Sequence, residues 1–249
     1  MNKTAKDRGE FRGLNELKNL HGRKKLEYIW NYYKIPLVIL AIAVYVIIYV
    51  FFRRATDMNP YLYLAYVNVS AGEDLHTELE EDFLAMQEDA DERSIVSTYE
   101  DLLLTEAVDS TDTSYLYACQ MKILAAIDGE EMDLVLMDKE AYDAFAQNGY
   151  LYNLEDFLTQ YAPELTAELS PLLTNNIEIL EDNATEVTLD NSIPYEAVTE
   201  EYPMAFEVSS FSYFGDAGFS DEVYLGIIAN TPRSETVVSY LKYLLSYDN

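Results

Sequence analysis

Several residue types are scarce in this chain, and each shortage removes a class of chemistry. One cysteine, Cys119, excludes an intramolecular disulfide and any cage of cysteine ligands. Within YLYACQMKILAA it reads as a small buried hydrophobe. The two histidines, His21 and His76, stand on opposite sides of a long apolar run, so they cannot share a site within one chain. No Ser-His-Asp or Cys-His spacing is present, and no glycine-rich phosphate loop. Carboxylate pairs such as Glu80-Glu81-Asp82, Asp89-Asp91-Glu92 and Glu130-Glu131-Asp133 are numerous, but so are acids generally, and these read as solvated faces. The acidic loops Asp109 to Asp112 and Asp128 to Asp133 lack the twelve-residue calcium-loop pattern. No catalytic residue, cofactor or metal ion is therefore expected.

Positive charge is the other shortage, and it is uneven. Residues 1–34 hold nine Lys or Arg against four acids, a net of +5. Beyond Arg54 only Arg93, Lys122, Lys139, Arg233 and Lys242 remain, facing 41 acids, a net of −36. A body so acidic repels nucleic acid and anionic surfaces, so nucleic-acid binding is not expected.

What the chain does have is an uncharged stretch, Ile35 to Phe52, between Lys34 and the pair Arg53-Arg54. Eighteen helical residues span about 27 Å, close to a hydrocarbon core of about 30 Å, and snorkelling Lys34 and Arg53 cover the difference. We read residues 35–52 as one transmembrane helix. A cleaved signal peptide fits poorly, since the preceding segment is 34 residues long and the exit, Phe51-Phe52-Arg53-Arg54, offers no small-residue cleavage site. Positive charge marks the cytoplasmic side, which puts residues 1–34 in the cytoplasm and the acidic part outside. Just before the run, Leu26, Ile29, Trp30 and Tyr33 fall on one helical face beside Arg23, Lys24 and Lys25. With Tyr32, this segment suits the inner leaflet and its anionic lipids, and Pro36 marks a bend into the anchor. Residues 1–22 read as a flexible tail, with a short helix around Leu14, Leu17 and Leu20.

After a linker over 53–59, residues 60–249 read as an extracytoplasmic α/β domain. Strands are predicted over 61–69, 94–104, 132–137, 186–190, 203–211 and 222–229. Helices are predicted over 73–87, 114–127, 139–147 and 154–161, with a last one opened by Thr231-Pro232. The stripe over 114–127 is Tyr117, Met121, Leu124 and Ile127. Residues 163–183 begin as helix and then lose definition, and the segment around 213–219 reads as a loop. Strands alternating with helices argue for a mostly parallel sheet with helices packed on it.

At Asp133 to Asp138, DLVLMD, followed by a helix and then GYLYNL from Gly149 to Leu154, the chain resembles extracellular solute-binding proteins of the type 2 periplasmic-binding-protein fold. Leu225 to Asn230, LGIIAN, with the helix from Arg233, also resembles that family's return strand and following helix. The resemblance implies a bacterial cell-surface module that binds or senses a solute, here anchored and shortened, with a reduced second lobe. Ligands of such a fold lie beyond the carboxyl ends of the strands, which singles out Asn68, Ser70, Tyr99 and Asp138. Asp138 equally suits a helix cap, and Asn68 a turn. The departures point to an alternative: an envelope scaffold that keeps the fold without a pocket and binds a membrane-protein partner. The outer part is short, the anchor is unusual for the family, and the only tryptophan, Trp30, lies on the other side.

Overall fold

In the computed structural model, residues 23–56, 58–104, 113–189, 192–211, 214 and 222–247 are described; side chains of 23–29, 31–33, 53–56, 73, 74 and 247 are not. The chain divides into two compact units, 1–57 and 58–249. The predicted tail helix near Leu14, the acidic loop 109–112 and most of the loop around 213–219 lie outside the described residues.

The first unit is helix α1, Arg23–Thr56. Lys34–Phe52 is apolar and long enough to cross a membrane, and none of it is buried within the protein. Pro36 sits inside this helix rather than at a break. The helix runs on through the residue at which a bend into the apolar run was expected, so residues 23–34 are its continuation, and proline leaves the carbonyl four residues back without its usual donor. Of the interface residues, Trp30 and Lys34 are exposed, while the side chains of Arg23, Lys24, Lys25, Tyr32, Tyr33, Arg53 and Arg54 lie outside the described set.

The second unit is built on one six-stranded sheet, ordered β2-β1-β3-β6-β5-β4. Strands β1 (Asn59–Val67), β2 (Ser94–Leu102) and β3 (Leu134–Met137) are mutually parallel about β1. Strands β4 (Leu173–Asp182), β5 (Ala197–Glu207) and β6 (Tyr224–Ile227) join antiparallel, β6 pairing with β3. The expected mostly parallel sheet is thus corrected: two pairings are parallel and three antiparallel. The reason lies after residue 172, where the chain enters a hairpin instead of another helical crossover. Every described strand belongs to this sheet, so among the described residues there is no second sheet for a second lobe.

Helices α2 (Glu73–His76) and α3 (Phe83–Ala85) are joined by a π-helical turn, Thr77–Asp82. The predicted helix 73–87 is therefore interrupted, yet Leu75, Leu79 and Phe83 are buried as its spacing required, while Met86 is exposed. Helix α4 (Thr113–Asp128) turns a different face inward from the one expected. Leu116, Cys119, Ile123, Ala126 and Ile127 are buried, whereas Tyr117, Met121 and Leu124 are exposed. Two apolar stripes compete on this helix, and the one holding small Cys119 and Ala126 allows the closer approach to the sheet. Helices α5 (Lys139–Gln147) and α6 (Leu154–Tyr161) start where predicted, capped by Asp138 and Asn153.

A 3₁₀ turn, the short helix α7 (Thr166–Leu169) and another 3₁₀ turn lead into β4, which the sequence left undefined. Residues 186–190, expected as a strand from their alternation, instead fall largely in helix α8, Ala184–Leu189. Local bonds decide it: Asp182 Oδ1 accepts from Ala184 N at 3.1 Å, and Thr188 Oγ1 donates to the carbonyl of Ala184 at 2.8 Å. The last helix, α9 (Ser234–Tyr247), opens later than the Thr231-Pro232 reading placed it. Thr231 is drawn instead to Asp133, to which its hydroxyl donates, and it accepts from Arg233 N.

The sheet's two faces carry separate cores. One holds Leu64, Tyr66, Leu79, Phe83, Leu136, Phe157, Phe206 and the buried face of α9. The other holds Ala65, Val67, Ile123, Val135, Tyr142, Phe145 and Ile228. Gly226 lies at the centre, where an added Cβ would meet Leu151 Cδ2 at 2.7 Å and Met137 Cε at 2.8 Å.

Candidate functional site

Because β1, β2 and β3 are parallel, their carboxyl ends meet at one edge: Val67 is opposite Leu102 on one side and Met137 on the other. The next residue, Asn68, has a positive φ of 59°, a conformation asparagine tolerates better than most residues. Its backbone N–H donates to the carbonyl of Leu102 at 2.8 Å. Its side chain links the other strand ends. Nδ2 donates to Asp138 Oδ1 at 3.1 Å, and Oδ1 accepts from Leu104 N at 2.8 Å. Asp138 Oδ1 also accepts from Ala141 N at 2.8 Å, so the same carboxylate caps α5. One asparagine and one aspartate therefore close the crevice edge.

The four predicted ligand residues separate here. Asn68 and Asp138 are brought into direct contact. Ser70 lies exposed just beyond. Tyr99 pairs with Ala65 and is directed elsewhere. Its hydroxyl donates to Glu131 Oε2 at 3.1 Å, its ring stacks on Tyr63 at 6.4 Å, and Lys122 Nζ lies 5.2 Å above it. Burial first, and then the Glu131 carboxylate, push the Tyr99 hydroxyl up to about 12.

Beside the clamp, a groove of about 330 Å³ opens between α4 and α5. Leu104, Ile123, Leu124, Ala144 and Phe145 give it apolar walls; Gln120, Asn148 and Tyr150 supply its polar groups. Leu104 belongs to both features, since Asn68 holds its backbone. Among the described residues no charged side chain lines the groove, so its chemistry suits an uncharged or apolar occupant. Sequence reasoning missed these residues because they emerge only once the inward face of α4 is known. The one usable signal was the helical spacing of Gln120, Ile123 and Leu124.

Two other polar clusters hold the framework together. Asp133, fully buried at the amino end of β3, accepts from Tyr63 N at 2.8 Å, from Thr231 and from Arg233 Nη1 at 3.1 Å. Burial holds its carboxyl above the ordinary range, while those donors and the Arg233 charge work in the opposite direction. The Arg233 guanidinium also lies 4.6 Å over the Tyr63 ring and donates to the carbonyl of Glu130. On the opposite sheet face, His76 Nδ1 lies 2.8 Å from Glu80 Oε1, and its ring meets Tyr66 edge-on at 5.1 Å. Burial is the main reason the Glu80 carboxyl lies above its ordinary value. Tyr66 is buried, and among the described residues its hydroxyl has no hydrogen-bond partner.

Among the described residues, no group of three or more His, Cys, Asp or Glu is arranged to hold a metal ion. Cys119 is buried, with Sγ 3.7 Å from the carbonyl of Asp101. No family model, no curated protein and no solved structure matches the chain.

Proposed function

We propose that this chain is a single-pass membrane protein whose acidic α/β domain stands outside the cell as a non-enzymatic interaction module, with its basic amino-terminal segment in the cytoplasm. One observation carries the choice of an interaction module over a solute binder. At the carboxyl ends of the parallel strands, the polar groups that would grip a solute are committed to each other: Asn68 to Asp138 and Leu104, and Asp138 to the amino terminus of α5. The membrane assignment is supported by the exposed apolar span Lys34–Phe52, uncharged from Ile35 onward, and by the charge asymmetry on its two sides.

The groove between α4 and α5 favours a second reading, the solute-binding-protein-like sensing module. Strand β3, the Asp138 cap, α5 and the return at Leu151, which bridges to Ile228, follow the order that the resemblance implied. The full-length protein in lipid nanodiscs separates the two readings. The interaction module should show no melting shift with sugars, amino acids, short peptides or divalent metals, and one membrane partner should co-purify in fixed ratio. A melting shift of several degrees with a small molecule, lost on Leu124→Trp in the groove, would favour the sensor instead.

A further inference from the structure

Strands β4 and β5 pair along nearly their whole length, from Leu173↔Phe206 to Asp182↔Ala197. Only Ala205 to Glu207 of β5 also pair with β6. From Ile177 to Asp182 and from Ala197 to Glu201, the two strands therefore pair with each other alone, as an arm reaching past the sheet and closed by α8. A two-stranded ribbon is marginal in water without something to pack against. This arm also leaves large apolar side chains exposed: Ile177, Leu180, Tyr195 and Val198, with Leu189 of α8 83 % exposed. Glu178 lies directly across from Glu200, a like-charge pair that costs stability in a ribbon and is relieved, among the described residues, only by the Tyr202 hydroxyl, which donates to Glu178. No Lys or Arg occurs between Lys139 and Arg233, so no internal cation from this stretch offsets it.

Burying the apolar residues and neutralising the carboxylates would remove both penalties, and one kind of neighbour does both. We propose that the β4–β5 arm is the docking surface for a partner protein that presents basic side chains around an apolar patch. The charge chooses among occupants. A second copy brings the same acidic arm, and an anionic lipid surface or a nucleic acid is repelled for the same reason. This inference rests on the interaction-module reading and names the surface and the chemistry of its partner.

The test uses the full chain in its native membrane, with the photo-crosslinker benzoylphenylalanine replacing Val198 or Leu180 on the arm, or Tyr117 on the exposed face of α4. The arm positions should give one discrete heterologous adduct, with the crosslink mapping to a segment of net positive charge. The paired change Glu181→Lys with Glu200→Lys should cut that adduct about tenfold, as reversed charge at a complementary rim does. The milder Glu200→Gln should weaken it less, and both variants should melt within a few degrees of the parent. An adduct of twice the chain mass, an adduct indifferent to charge reversal, or none at the arm would overturn the proposal. Crosslinking from Tyr117 alone would sink the arm while leaving the interaction-module reading standing. No protein adduct from any position would sink both.

Discussion

In the parallel half of the sheet, Leu62, Leu64, Ala65, Tyr66 and Val67 of β1 and all four residues of β3 are buried. In the antiparallel half, β4 contains no buried residue, and β5 is buried only from Pro203 to Phe206. One sheet thus holds a strand order sandwiched between two apolar layers and a hairpin that leaves them. The parallel half can be strong because helices cover both faces, which demands nearly continuous apolar runs such as LYLAYV and LVLM. The outer hairpin is covered only at its base, where α5 holds Thr174 and Asn176 of β4, and beyond it the mix of acids and aliphatics is that of a surface. Cohesion and availability are assigned to opposite ends of the same sheet.

The largest expected effect comes from breaking the cohesive half. Leu64→Ala should cost about 3 kcal/mol in urea denaturation, combining lost burial with the cavity left behind. Equal losses at Leu64 and at the arm would erase the distinction. Next comes the crevice edge. Asn68→Ala should cost about 2 kcal/mol, because it removes two side-chain bonds and places a Cβ residue without asparagine's tolerance at φ 59°. Asn68→Gly should recover part of that loss, since only the bonds are then missing.

Titration sharpens the same contrast. Tyr61 and Tyr99, both in the parallel half, have hydroxyls pushed up to about 12, each chiefly by burial and then by a carboxylate partner. A tyrosine raised in the folded state contributes stability that is present below pH 10 and lost as pH rises through 12. Alkaline melting should therefore set in between pH 10 and 12, and Tyr99→Phe should flatten that dependence. The same sign applies to the raised carboxyls of Glu80 and Asp133, whose contribution is fully present below the ordinary carboxylate range and lost as pH rises through their folded values. The smallest effect belongs to the arm: Ile177→Ala should change stability by less than about 0.5 kcal/mol, and a larger loss would show that the arm packs on something.

The apolar helix over residues 35–52, β1, the Asp138 cap, α5 and α6 were legible in the sequence because each rests on a local rule: length without charge, an aliphatic run, or a side-chain oxygen ahead of a helix. What was not legible depends on distant partners. Helix α4 carries two apolar stripes, and only the sheet beneath it selects Cys119 and Ala126 over Tyr117 and Met121. Strand β4, LTNNIEILED, mixes aliphatics with amides and acids without a continuous apolar run, so nothing within it announced a strand until β5 supplied its mate. Of the four crevice residues, Asn68 and Asp138 were placed together by parallel pairing. Tyr99 was diverted by Glu131, which lies 32 residues along the chain.

The covalent route from α1 enters the sheet at Asn59, the first residue of β1, after only Asp57 and Met58. That strand is interior, flanked by β2 along most of its length and by β3 near its carboxyl end. A mechanical load passing along the chain between the helix and a partner held elsewhere on the domain would therefore arrive at a strand gripped on both sides. To peel β1 away, such a pull would have to rupture two ladders rather than one.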